Sequence, residues 1–115
     1  MRTALVTFLA GSSLLILAAC TTVPPVSEIP QAIANAKTAA DHLLIADYFA
    51  QKAASYEAEA KLHEKMEQSY RGRPRYADSA SMSAHCRELE NQLNAAAREA
   101  KALEQAHRGL GASFK

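Results

Sequence analysis

Residues 79–108 read SASMSAHCRELENQLNAAAREAKALEQAHR, thirty residues with the marks of one long helix. No Gly or Pro interrupts it, and strong helix formers (Ala, Glu, Leu, Gln, Lys, Arg) fill most of it. Met82, Cys86, Leu89, Leu93, Ala96, Ala100, Leu103, His107 and Leu110 recur at alternating steps of four and three, the pattern of a helix seam. Asp78, Ser79 or Ser81 supplies a cap at the start. Gly109 and Gly111 supply a stop near His107 or Arg108.

The partner for that seam lies upstream. From Gln31 to Tyr70 there is again no Gly or Pro, and Ala, Glu, Lys and Leu dominate. Pro30 fits a first helical turn, with Ser27 or Ile29 near the cap. Gly72 and Pro74 end the run. His42, Ile45, Phe49, Ala53, Tyr56, Ala60, His63 and Met66 share one face at a period near 3.6. A second row of Ala39, Leu43, Ala46, Ala50 and Ala54 widens that face. Residues 71–77, RGRPRYA, make a polar connection.

The pattern therefore predicts an all-α chain: a long antiparallel helical hairpin over 30–110, with helices at about 31–70 and 79–108 and a tail at 111–115. The first helix would run about 60 Å. A lone helix pair buries only a stripe, so the wide face predicts two hairpins dimerising into a four-helix bundle.

Composition narrows the function classes. The chain has 115 residues, one domain's worth at most. Charge is balanced, with 13 Lys and Arg against 12 Asp and Glu, which disfavours a nucleic-acid partner. Trp is absent and aromatic residues make up 6%, which argues against a large aromatic-lined pocket. There is no nucleophile elbow with a Ser/His/Asp order, no Gly-rich phosphate loop and no carboxylate pair in a cleft. The expectation is a binding or structural module and not an enzyme.

The N-terminal segment carries an address. Met1-Arg2-Thr3 is a short positive start, and Ala4 to Ala18 is uncharged and apolar apart from Thr7, Gly11, Ser12 and Ser13. At about 15 residues it is short for a spanning helix, which needs roughly 20, and it fits a signal peptide. It closes on Leu17-Ala18-Ala19-Cys20, which resembles the lipobox of bacterial lipoproteins. That resemblance implies removal of the signal peptide 1–19 and lipidation of Cys20 with diacylglyceryl and fatty-acyl (palmitate-type) chains. It also implies a membrane-anchored envelope protein. Thr21 follows the Cys where Asp would signal inner-membrane retention, so the periplasmic face of the outer membrane is favoured. Residues 20–29 are then the lipidated N-terminus and a linker stiffened by Pro24-Pro25. Asp41–Phe49 and Met82–Leu89 are similar to stretches of small two-helix bacterial envelope proteins of no assigned activity.

Folding the hairpin about its loop pairs His42 with His107, His63 with Cys86 or His85, and Met66 with Met82 in one register. Imidazole, thiolate and thioether suit transition metals, soft sulfur selecting copper(I) and imidazole suiting copper or zinc. His63 with Met66, and Met82 with Cys86, lie one turn apart on their helices. A candidate metal site is therefore His63, Met66, Met82, His85 and Cys86, with a second at His42 and His107. Haem is a weaker option with His42/His107 or His63/Met82 as axial pairs, since no CxxCH is present. The same residues also read as packing: Met fills seams, Cys is a small buried hydrophobe, and a seam His can pair with Glu59, Glu64 or Glu104.

With Cys20 taken by lipid, Cys86 has no intrachain partner. In an oxidising compartment it is buried, metal-bound or disulfide-linked to a second chain. Arg71, Arg73 and Arg75 give the loop a basic tip, which reads either as a contact for an acidic partner or as a solvated loop. Two functions follow: an envelope lipoprotein that binds a transition metal, or a structural or protein-docking coiled-coil lipoprotein. The expected partners are the membrane and either a second copy or another envelope protein.

Overall fold

The computed structural model describes residues 23–73 and 77–114. The signal peptide, the lipobox with Cys20, and Pro74, Arg75 and Tyr76 of the connection lie outside the described residues. A 3-10 turn at Val26–Glu28 leads into α1 (Ile29–Asn35), α2 (Ala39–Arg71) and α3 (Ser79–Ser113). The two long helices pack against each other as an antiparallel hairpin, as the sequence pattern requires, and α1 makes a small contact with α2. No strand occurs among the described residues.

The upstream run is two helices where periodicity predicted one. Thr38 is extended (φ −129°, ψ 161°), and its hydroxyl accepts the Asp41 N–H at 3.2 Å. The Asp41 carboxylate accepts the Thr38 and Lys37 N–H groups, each at 2.9 Å. This reciprocal capping box satisfies donors that a helix start leaves open. It begins a new helix at Ala39 and splits off α1, whose Pro30 occupies the first turn and whose Ile29 is buried.

At the other end α3 runs through Gly109 and Gly111 to Ser113 and does not stop at His107 or Arg108. A glycine stop needs a left-handed residue, and no described glycine has positive φ. Gly111 is buried instead. A Cβ there would lie 3.3 Å from the Ala39 carbonyl oxygen and 3.5 Å from Leu43 Cγ. Its bare α-carbon lets the end of α3 lie against the start of α2.

The seam is built from small residues. From α2 it takes Ala46, Ala53, Ala60 and Glu67, spaced by seven, beside the fully buried Ile45. From α3 it takes Ser83, Cys86, Ala97, Ala100 and Gly111, with Leu93 and His107 half-buried. The predicted α3 row is thus correct at Cys86, Leu93, Ala100 and His107 and wrong on its other flank. Met82, Leu89, Leu103 and Leu110 are between 43% and 47% exposed. Helix separation depends on the side chains at the contact. Alanine facing small residues sets a narrow seam, and the large apolar side chains are left beside it. On α2, Leu43 and Ala54 of the expected second row are likewise exposed.

Candidate functional site

The register read from sequence brings one pair into direct contact. His42 Nδ1 and His107 Nδ1 are 3.1 Å apart, so one ring donates and the other accepts. The rings are flanked by Phe49, stacked on His107 with centroids 6.0 Å apart, and by Phe114, 5.5 Å from His42. Burial, and then the neighbouring His42, hold the His107 pKa below its ordinary 6.5.

Nearer the loop the other predicted ligands are dispersed. Met66 and Met82 line one open groove of about 480 Å³ with Tyr70, Ser69 and Arg73. His63 is half-buried and its Nδ1 is enclosed with no hydrogen-bond partner among the described residues. Cys86 is a free thiol buried in the seam, so it does not present its sulfur for a disulfide to a second chain. His85 is exposed. Among the described residues no three or more His, Cys, Asp or Glu side chains are placed to hold a metal ion. His63, His85 and Cys86 are therefore not gathered as a ligand set. Adjacent helix positions diverge by about 100°, so His85 leaves the seam that Cys86 enters.

The expected His–Glu pairs are also absent among the described residues. Glu104 binds Arg108 at 2.9 Å, and the seam carboxylate is Glu67. Glu67 accepts Arg87 Nε at 2.8 Å and pairs with Arg71. Arg71 thus bonds back onto its own helix and is not a free member of the basic tip.

The two edges of the hairpin differ in chemistry. Along one edge Asp47 meets Arg108 at 3.1 Å, Glu57 meets Lys101, and Glu67 meets Arg87. Along the other run Met82, Leu89, Ala96, Leu103 and Leu110 of α3, spaced by seven. Beside them lie His42, Phe49, Tyr56, His63 and Tyr70 of α2, also spaced by seven and half-buried. A depression of about 270 Å³ opens between them, lined by Phe49, Tyr56, Ala96 and Leu103 with Lys52 and Glu99 at its rim. Lys52 Nζ sits 5.1 Å from the centre of the Tyr56 ring. Neither Lys52 nor Glu99 has an ion-pair partner among the described residues, in contrast to the charges of the opposite edge. This apolar edge is the candidate functional surface. Its signal was in the sequence, as a second seven-residue row beside the seam.

Compared with protein-family models, curated proteins and solved structures, the chain matches none.

Proposed function

We propose that this chain is a lipid-tethered coiled-coil module of a bacterial envelope that acts by docking through its apolar edge, without catalysis. The observation that supports docking is the exposed row Met82, Leu89, Leu103 and Leu110, apolar side chains left beside a seam of small residues. Contiguous exposed apolar surface marks an interaction site on a folded protein. Among the described residues, the grooves beside Met66 and Met82 and beside Phe49 and Leu103 are open, a shape that suits docking better than desolvation of a substrate.

The tether rests on the resemblance of Leu17-Ala18-Ala19-Cys20 to a lipobox. No helix among the described residues is long and apolar enough to cross a membrane, so attachment in this reading falls to lipid on Cys20. Cys20→Ser should move the full chain from the membrane fraction to the soluble fraction. A Cys20→Ser chain that stays in the membrane would refute the anchor.

Docking is tested by placing a photoreactive side chain at position 89 or position 94 of the full chain in its membrane. Adducts should form from 89, on the apolar edge, and not from 94, which lies with Glu57, Lys61 and Glu90 on the charged edge. No adduct from 89 removes this reading.

A second reading, soft-metal binding at His63, Met66, Met82 and Cys86, has one supporting observation: the enclosed and unpartnered His63 Nδ1. An imidazole nitrogen left without a hydrogen bond is poised to accept a metal or a proton. Titration of the chain with copper(I) or zinc should then show stoichiometric binding that Cys86→Ser and His63→Ala abolish. Unchanged binding in both variants, or none, excludes it.

A further inference from the structure

We infer that the occupant of the apolar edge is a second copy of this chain, with the two hairpins packed face to face about a two-fold axis parallel to their helices. This names the partner of the docking surface above and rests on that reading.

Both rows, the largely exposed Met82/Leu89/Ala96/Leu103/Leu110 and the half-buried His42/Phe49/Tyr56/His63/Tyr70, keep the seven-residue spacing of the internal seam. Such a strip is covered along its length only by helices of the same supercoil. The α3 row also adjoins the seam positions Cys86, Leu93, Ala100 and His107, so the strip continues an interface already formed within the chain.

Charge fits the parallel axis, and the N-termini select it. Lys52 of α2 and Glu99 of α3 stand level with each other at the rim of one depression, without ion-pair partners among the described residues. A two-fold axis parallel to the helices puts α2 of each copy over α3 of the other at the same level. Lys52 of each copy then faces Glu99 of the other, and Leu89 and Leu103 enter the aromatic row formed by Phe49, Tyr56 and Tyr70. Every neighbouring helix pair in the resulting four-helix bundle is antiparallel. Both N-termini emerge at the same end, as two chains tethered to one membrane require. An axis perpendicular to the helices would send the two N-termini in opposite directions.

The experiment uses full-length chains carrying two distinguishable tags, expressed together and recovered from their membrane in non-ionic detergent. Capture by one tag should bring down the other for the unaltered chain. Lys52→Glu paired with itself opposes two glutamates at both contacts, and Glu99→Lys paired with itself opposes two lysines. Each self-pairing should lower recovery by about tenfold. Lys52→Glu expressed with Glu99→Lys restores an opposite-charge pair at both contacts, and recovery should return. A role of either residue within its own hairpin gives no such rescue between chains.

Loss in both variants without rescue in the mixture overturns the parallel arrangement. No co-recovery of unaltered chains overturns the second copy altogether. The adduct from position 89 separates that result from failure of docking. An adduct of twice the chain mass supports this inference, and an adduct of another mass keeps docking but assigns the surface to a different protein. Leu89→Lys with Leu103→Lys should abolish co-recovery while helical circular dichroism is retained, since neither side chain is part of the buried seam.

Discussion

His42 and His107 form a pair in which one proton occupies the space between two nitrogens. When both rings are protonated, two donors face each other, the bond is lost and two like charges are left at 3.1 Å. The His107 pKa is lowered on folding, so the unfolded chain binds the proton more readily than the folded one. Stability from this group is therefore complete above pH 6.5 and declines as pH falls below it. A melting temperature that drops between about pH 7.5 and about pH 5.5, with the drop reduced in His107→Gln, is the expected result. A pH-independent melting temperature over that window contradicts it. Asp41, whose pKa is lowered chiefly by the Lys37 N–H, acts in a separate window below pH 3.8.

The two glycines of α3 make a paired test at the same scale. Nothing lies within 4 Å of a Cβ built on Gly109, so Gly109→Ala should stabilise by about 0.5–1 kcal/mol through helix propensity alone. At Gly111 the new carbon meets the Ala39 carbonyl oxygen, so Gly111→Val should destabilise while Gly109→Ala stabilises. Denaturant titration of the three chains measures both signs.

At the scale of the element, the capping box at Thr38 and Asp41 decides where α2 begins. Thr38→Ala removes the acceptor for the Asp41 N–H and should cost about 1 kcal/mol, with faster amide exchange confined to the first turn of α2. Equal exchange in that turn would show that the cap does not hold it. The signal Thr38-Ala39-Ala40-Asp41 was present in the sequence, but the long Ala-rich run around it gave one continuous helix on propensity alone. The hairpin was legible because helix propensity, a central Gly/Pro loop and a seven-residue repeat all agree. The choice of buried flank was not, because hydrophobicity favours Leu89 and Leu103 over Ser83 and Ala97. The opposing row Ala46, Ala53 and Ala60 reverses that preference, since small residues on both sides draw the helices together. His42 with His107 was legible because it needed only the register. His85 was not brought in with Cys86, because sharing a level is weaker than pointing at a common centre, as exposed His85 beside buried Cys86 shows. Buried Glu67 was missed because its partner Arg87 lies across the seam and gives no local pattern.

At the scale of the whole molecule, a seam of alanines contributes little per residue. Burial is worth about 0.8 kcal/mol per CH₂, against about 1.5–3 kcal/mol for a whole leucine side chain. Among the described residues Ile45 is the largest fully buried side chain, while Met82, Leu89, Leu103 and Leu110 stay exposed on the outer face. Their burial between two copies would add stability that the single hairpin lacks, coupling folding to assembly. Because Cys86 lies within the seam, reductant should leave the assembly intact, whereas a dimer that dissociates in reductant would require the thiol to be exposed. Lipid attachment adds a further term. Chains held by one end on a common surface, and aligned in the direction that the parallel arrangement uses, meet at a higher effective concentration than free chains. At equal cellular abundance, Cys20→Ser should therefore lower the double-mass adduct from position 89 while leaving the internal contacts of the hairpin unchanged. An equal yield with and without Cys20 would mean that the tether positions the module but does not drive its pairing.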